Sequence, residues 1–485
     1  MLDTFKLRKS IIKGSIWSIL GQLASLFTSL LANIWLARLL SPREFGQLGI
    51  IMVFIVISNV LTEGGLSAAL VRKVDATKED YSTIFIVNVC ISICCFLIIF
   101  YSAEILGLYY NDITLVNPLK AISIVLIINS LQIVQTTRLI ANMEYKKKAV
   151  YDFISALLSS VIGVFFAYKG FGIWSLICMQ ISNSLFKTFF LWIFEKFHFK
   201  LIFSRQSFLE LYSFGVNTTL SSVLNILFDN VYQLVFGKIF SVTQVGYFYQ
   251  AKRLNDINTS IFNSISQGPV YSGLVKFQKD KTLFTKSYNS IINILLSALG
   301  LITILIFYYS DTLMDILFGS NWIESGIYLK YLVLSSYFFI QENFNRIIFK
   351  TYNKTRKILY LDFLKKTIQI ISIIIGVLML DFNVLLIGLI VSNAIGYTIN
   401  YYVSRTILSI NKIMNKELAA TYLVLLAAFL TVMSISLIQS FTQLSGSSSL
   451  LFIAVIIPFY FLFLKFFRVI DLSEIMKIIV LSKKK

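Results

Sequence analysis

The sequence predicts an all-α protein that crosses a membrane many times, and three observations predict it. Hydrophobic residues make up 57% of the chain and charged residues 14%, where soluble proteins carry about 25% charged residues. Apolar runs of about 20 residues, long enough to cross a bilayer as a helix, recur from end to end. The basic residues behind the formal charge of +19 do not gather in one domain. They fall in short segments at alternate ends of the apolar runs, the pattern that keeps Lys and Arg on the cytoplasmic side. That distribution accounts for the charge without a nucleic-acid partner, and the composition excludes a soluble globular enzyme.

The chain opens with Lys6, Arg8, Lys9 and Lys13, followed by an apolar stretch from Ile16 to Leu40. This stretch is too long for the apolar core of a cleavable signal peptide and reads as the first membrane helix. Hydropathy gives about fourteen helices of spanning length. Their centres lie near Leu26, Phe54, Ser92, Ile127, Ser160 and Ser182, then Ser222, Ile257, Ser297, Ser335, Ile370 and Ile390, and finally Ala427 and Val455. The seventh and eighth are rich in Ser, Thr, Asn and Gln, as expected of helices that face a cavity rather than lipid.

Counting Lys and Arg orients the spans. With both termini cytoplasmic, the inner segments hold Arg72, Lys73 and Lys78, then Arg138 and Lys146 to Lys148, then Lys196, Lys200 and Arg205. Further inner segments hold Lys276 to Lys286, Arg346 to Lys366, Arg405 to Lys416, and the terminal Lys483 to Lys485. Outer loops receive little beyond Arg43, Lys120, Lys169, Lys238 and Lys330, with Arg38 at a helix end. Omitting one helix would invert every later loop, so the alternation supports the count. The chain is therefore expected to cross its membrane many times, with no loop long enough to form a soluble domain. Pro118, Pro269 and Pro458 lie in or near spans and mark possible kinks.

The chain also repeats. Gly237-Lys238-Ile239-Phe240-Ser241 with Val245-Gly246 echoes Ala37-Arg38-Leu39-Leu40-Ser41 with Phe45-Gly46, each closing the first hairpin of one half. Arg138, Lys146-Lys147 and Asp152-Phe153 are echoed by Arg346, Arg356-Lys357 and Asp362-Phe363. Six helices per half is even, so the halves share one orientation, as in transporters that hold substrate between parallel repeats. The expected organisation is a six-helix lobe over 1–205, a second over 206–410, and two further helices with a basic tail over 411–485.

Charges inside the spans each need a reason, since one near the bilayer centre costs about 2.5–3.5 kcal/mol on insertion scales. Asp229 lies within the seventh helix, one turn after Asn225 and beside Asn230 and Gln233. Lys252 and Arg253 lie about 10 Å into the eighth helix at 1.5 Å per residue. Asp256 is i+4 from one and i+3 from the other, so one carboxylate faces two cations. Two readings stay open: the long stems snorkel to the surface, or the cations form an anion site, for which a diphosphate suits the planar guanidinium fork. Arg138 and Arg346 are candidates at the inner mouth, although the positive-inside pattern already accounts for them. Asp229, Asp256 and Glu63, which closes the second helix before Gly64-Gly65, are candidate ion-coupling carboxylates.

No catalytic signature is present: no HExxH, no GxxxxGK[ST], and a single His198 in a basic inner loop. Cys90, Cys94, Cys95 and Cys178 sit in apolar spans without metal-type spacing and read as buried hydrophobes. Neither a metal nor a cofactor is expected.

Ala37 to Pro42 with Phe45-Gly46, Gly65-Leu66 with Ala69-Leu70, and Gly170 with Gly172-Ile173-Trp174-Ser175-Leu176 resemble the bacterial oligosaccharide flippases of the Wzx type. So do Asn225, Asp229, Gly237, Gly246-Tyr247, Ala251 and Arg253-Leu254, and the likeness is strongest over roughly the first 270 residues. That family belongs to the MATE-like superfamily. The resemblance implies two six-helix lobes around a cationic cavity and two extra C-terminal helices. It implies a non-enzymatic, alternating-access carrier of undecaprenyl-diphosphate-linked oligosaccharide units for surface polysaccharide such as O-antigen or exopolysaccharide. Other polysaccharide-assembly membrane proteins are expected partners. Two departures stand out: Glu63-Gly64 replaces the usual Asp before Gly-Leu, and Lys252 replaces the common Tyr. In this reading Lys252, Arg253 and Arg38 attract the diphosphate and Asn225 helps to solvate the sugars. The alternatives are an ion-coupled small-molecule exporter of the multidrug kind, or a membrane polysaccharide polymerase. The segment GGLSAALVRKVDATKED lacks the major-facilitator Gly-Asp-Arg signature, and no large outer loop of the kind polymerases use is apparent.

Overall fold

The computed structural model describes residues 2–73, 75–195, 202–408, 414–442 and 453–466. His198 and the terminal Lys483 to Lys485 lie outside them. The first helices are α1 (Leu2–Leu39), α2 (Pro42–Glu63), α3 (Leu66–Arg72), α4 (Lys78–Tyr109), α5 (Val116–Ile122), α6 (Ile124–Ala141), α7 (Tyr145–Tyr168) and α8 (Ile173–Phe194). There follow α9 (Arg205–Ile239), α10 (Val242–Ile265), α11 (Tyr271–Val275), α12 (Lys281–Phe318), α13 (Ser325–Thr351), α14 (Thr355–Met379), α15 (Phe382–Leu408), α16 (Met414–Thr442) and α17 (Ile453–Phe466). Each of the fourteen centres expected from hydropathy falls in a helix of its own. Among the described residues, seven segments are both long and apolar enough to cross a membrane by length and composition. The chain is an all-α, multi-pass membrane protein.

The internal contacts divide the chain into two compact units, Met1–Tyr249 and Gln250–Lys485. In the first, the capping box formed by Ser41 and Glu44, with Pro42 at the first helical position, starts α2 abruptly after the Leu40–Ser41 turn. Gly64 and Gly65 both adopt left-handed backbone, with φ of 59° and 61°, which ends α2 at Glu63 and re-aims the chain into α3. Asp112 lies in the connection after α4 and caps the short turn that follows. In the second unit the core is aromatic and tyrosine-rich, with Phe284, Tyr288, Tyr337, Phe344, Tyr401 and Tyr460 buried together. The C-terminal α16 and α17 dock here on α12, where the Tyr460 hydroxyl donates to the Ser297 carbonyl at 2.9 Å. Pro269 sits in a π-helical turn, Ser266–Val270, between α10 and α11. A residue without an N–H is accommodated where the regular helical ladder is already broken.

The repeat is visible in the backbone at residue resolution. Leu40 N donates to Leu36 O as Phe240 N does to Phe236 O, and Phe45 N to Ser41 O as Val245 N does to Ser241 O. The turn after α6 closes with bonds from Asn142, Met143 and Glu144 to Arg138, Ile140 and Leu139. The turn after α13 closes with bonds from Tyr352, Asn353 and Lys354 to Ile348, Lys350 and Phe349. Met143 and Asn353 both take positive φ, 57° and 53°, as a helix-ending left-handed residue does. The turns after α7 and α14 match in the same way at Gly170 and Leu380.

This register corrects one detail of the sequence reading. Arg138 corresponds to Ile348, and Arg346 corresponds to Thr136. The two arginines are half a turn apart in their repeats and so point to different faces of their helices.

The cysteine expectation also needs correction. Cys95 is buried, but Cys90 and Cys94 are exposed on α4, consistent with a lipid-facing surface where a small apolar side chain is equally at home.

Candidate functional site

Asn225 and Asp229 stand four residues apart on one face of α9, and both are exposed. Asn230 turns back to the carbonyl of Ile226 at 2.8 Å, and Gln233 is buried. On α10 Lys252 and Arg253 are half-buried and Asp256 is exposed. Lys252 Nζ lies 4.0 Å from Asp256 Oδ2, so the i,i+4 pairing expected from sequence is made at long range. Asp256 leaves 57% of its side chain exposed, a solvated geometry worth little to stability. Arg38 is exposed in the last turn of α1, and Glu63 is exposed at the end of α2. Arg138 is half-buried near the end of α6. Arg38, Glu63, Arg138, Asn225 and Asp229 belong to the first unit; Lys252, Arg253, Asp256 and Arg346 belong to the second.

Arg346 is the candidate whose surroundings are most fully defined. Its Nη2 donates to Glu342 Oε1 at 2.5 Å and also to Asp362 Oδ1. Lys365 Nζ donates to the other Glu342 oxygen at 2.7 Å. The cation is therefore held by two carboxylates, one on its own helix and one on α14. Sequence reasoning named Arg346 and Asp362 but missed Glu342 and Lys365. A signal existed: Glu342 is four residues before Arg346, and Lys365 three after Asp362.

Three charged partners in the first unit, Lys187, Asp80 and Glu210, escaped the sequence reading. Lys187, inside α8, reaches Asp152 of α7 at 2.8 Å, and Lys148 reaches the same carboxylate at 2.6 Å. Lys73 bridges Asp80 at the start of α4 and Glu210 on α9, both at 3.1 Å. Burial alone would lower the Lys73 pKa, but the hydrogen bonds to Asp80 and Glu210 raise it above the ordinary lysine value. The segment leading into α9 docks at the same place, Ile202 N on Ser82 Oγ at 2.8 Å and Ser204 N on Thr83 Oγ1 at 3.0 Å.

At the other end of α9, both hairpin turns meet the connection after α4. Asp112 accepts from Gln47 Nε2 at 2.9 Å and from Arg43 Nη2 at 3.2 Å, both on α2. Lys238 donates to the Tyr109 carbonyl at 2.7 Å and lies 4.3 Å from the centre of that tyrosine's ring. Close by, α2 and α10 cross at their first turns with almost no separation. A methyl group built on Gly46 would fall 1.8 Å from the Val242 carbonyl oxygen, and one built on Gly246 would fall 1.8 Å from that of Pro42. The contact is reciprocal between residues that correspond in the repeat, so the two hairpins meet about a local two-fold relation.

The second unit holds a small cavity of about 20 Å³ between α12, α13, α15 and α16, where Gln341, Asn345 and Arg405 meet aromatic and aliphatic side chains, with room for about one water molecule. The Arg405 guanidinium lies 4.9 Å from the ring centres of both Tyr288 and Tyr401. Asn345 accepts from the Tyr288 hydroxyl at 2.9 Å.

Comparison with known proteins agrees with this architecture. A family model described as polysaccharide biosynthesis protein matches residues 35–326. The chain is 24% identical over 327 residues to the succinoglycan biosynthesis transport protein ExoT of Rhizobium meliloti (strain 1021), covering 67% of this chain and 66% of that one. It is 21% identical over 323 residues to the lipopolysaccharide biosynthesis protein WzxC of Escherichia coli (strain K12), covering 65% of each. The chain thus spans about two thirds of the length of the curated relatives it matches. Among solved structures, the lipid II flippase MurJ in an inward closed conformation superposes with a TM-score of 0.72 at 16% identity, over 94% of this chain and 99% of that one.

Proposed function

Since the chain belongs to the polysaccharide biosynthesis protein family, we propose that it is an alternating-access flippase of lipid-linked oligosaccharide. It turns repeat units carried on undecaprenyl diphosphate from the cytoplasmic to the outer leaflet, and it acts as a carrier rather than an enzyme. The observation that carries this reading is the half-buried cation pair Lys252 and Arg253 on α10, in a family named for polysaccharide biosynthesis. Relatives named for different polymers, succinoglycan and lipopolysaccharide, favour recognition of what such precursors share. A phosphate-bearing lipid carrier is such a part, and a guanidinium on a polar helix suits it.

In this proposal Lys252, Arg253 and Arg38 draw in the diphosphate while Asn225 and its neighbours on α9 solvate the sugars. The prenyl tail remains in lipid. Arg138 serves at the inner mouth. Arg346 reaches a substrate there only by giving up at least one of its carboxylates. The lobes run over 1–205 and 206–410, and both termini are cytoplasmic.

Replacing Arg253 with Ala is expected to abolish surface polysaccharide while the protein still inserts at normal abundance, read by immunoblot of membranes alongside polysaccharide staining. Normal polysaccharide in that variant would remove Arg253 from the mechanism. A multidrug-type exporter, by contrast, would protect cells against cationic dyes, so dye resistance that tracks expression of this chain would replace the flippase reading.

A further inference from the structure

We propose that Glu342 and Asp362 together bind one exchangeable proton, and that a proton gradient drives the transport cycle through this pair. The inference rests on the flippase reading for its role in transport, but the proton site itself does not. Both carboxylates accept a hydrogen bond from the same nitrogen, Arg346 Nη2. Two bonds from one nitrogen leave the acceptor oxygens within about 5 Å of each other. Carboxylates that close in a low-dielectric setting titrate as a pair. Lys365 and Arg346 both bond to Glu342 while Asp362 shares only Arg346 with it, so Asp362 is the member that takes the proton. Glu342 is 1% exposed, whereas the Asp362 side chain is 27% exposed. The pair thus has one member locked in the protein and one open to proton exchange.

The ionisable groups around the pair come from several helices. Arg346 and Lys350 lie on α13 itself, and Lys350 reaches Gln267 of the π-helical turn. From α14 comes Lys365, whose stem crosses Gly396 of α15 and whose ammonium lies 5.0 Å from the Phe339 ring centre. On the neighbouring face of α13, at Gln341 and Asn345, α12 presents Tyr288 while α15 presents Tyr397, Tyr401 and Arg405. Tyr271 of α11 packs against the same core. Within the quartet two cations balance two carboxylates. Protonating Asp362 takes it from neutral to a charge of plus one, with Arg346 retained by Glu342. Releasing the proton restores neutrality and the second bond.

The repeat supplies an independent argument that these charges are not needed for folding. In the first repeat the positions of Glu342, Arg346 and Lys365 are taken by Gln132, Thr136 and Ser155, with Asp152 standing where Asp362 does. The same helix junction is therefore built there without the quartet, and Asp152 pairs instead with Lys148 and Lys187. Buried ion pairs add little stability over neutral replacements. Ionisable groups kept inside membrane helices commonly mark proton or ion pathways.

The test is infrared difference spectroscopy of the purified full-length protein in lipid nanodiscs, stepped in pH. The proposal expects a protonated-carboxyl band that titrates in the wild type and is lost in Asp362→Asn, a variant that leaves Glu342 held by Arg346 and Lys365. The double variant Glu342→Gln with Lys365→Met, which removes a charge pair together, is expected to lose the same band. In vesicles loaded with lipid-linked oligosaccharide, wild-type transport should respond to an imposed pH gradient and Asp362→Asn transport should not. An unchanged band in Asp362→Asn, or gradient-driven transport by that variant at the wild-type rate, overturns the proposal. A titrating band that Asp362→Asn removes, in a protein that moves no lipid-linked oligosaccharide, keeps the proton site and overturns the flippase reading instead.

Discussion

Asp112 shows how much one side chain organises at the hairpin end of the first unit. It is almost fully buried, and it holds Arg43 and Gln47 of α2 as well as Thr114 of its own turn. Burial pushes its carboxyl pKa up, but hydrogen bonds from Thr114 and Gln47 and the charge of Arg43 outweigh that and leave it below the ordinary Asp value. A depressed folded pKa means the contribution is fully present above the unfolded pKa, about 4, and is lost as pH falls through the lower folded value. Raising the pH should leave it unchanged. Replacing Asp112 with Ala removes one of two acceptors of the buried Gln47 amide, leaving Thr114 Oγ1 as the other, and should cost about 1–2 kcal/mol, read as a lower unfolding temperature in detergent at neutral pH. At a pH below the folded value the gap between variant and wild type should narrow; a constant gap would mean that the loss is one of packing rather than of charge.

At the scale of elements, the crossing of α2 and α10 depends on two absent side chains. Each glycine faces the other helix's carbonyl oxygen at a distance no methyl group can occupy, and a backbone atom cannot swing aside as a side chain can. Gly46→Ala and Gly246→Ala should each destabilise the protein by about 1–3 kcal/mol through overpacking. Gly273 of α11 has open space around its Cβ position, so Gly273→Ala should be neutral or slightly stabilising, by the roughly 0.5–1 kcal/mol that Ala gains over Gly in a helix. Equal effects at all three positions, by thermal unfolding, would show that the crossing is not tight in the membrane.

The sequence already showed the motif on both sides of this contact, because Phe45-Gly46 and Val245-Gly246 stand at matching places after matching turns. It did not show that the glycines touch each other, since a sequence repeat carries no information on which copies pack together. The quartet around Glu342 was half legible for a related reason. An i,i+4 Glu–Arg pair looks like any solvated helix face until Asp362 and Lys365 arrive from a second helix.

For the whole molecule, the orientation of the helices rests on charge alone, and the repeat makes it testable with few positions. The turns at Ser41 and Ser241 are equivalent in the two repeats, as are those at Met143 and Asn353. An even number of spans per half places equivalent turns on one side of the membrane, and the lysine and arginine count assigns Ser41 and Ser241 to the outside. The chain has free cysteines, two of them exposed on α4, so the experiment begins from a version in which all four are replaced by Ser or Ala. Single cysteines at Ser41 and Ser241 should then react with a membrane-impermeant thiol reagent in intact cells, whereas cysteines at Met143 and Asn353 should react only after lysis. Ser41 is exposed, so a failure to label there would place its turn inside. If Ser41 and Ser241 label from opposite sides, the halves are inverted rather than parallel. The alternating-access scheme would then have to be rebuilt around a different axis.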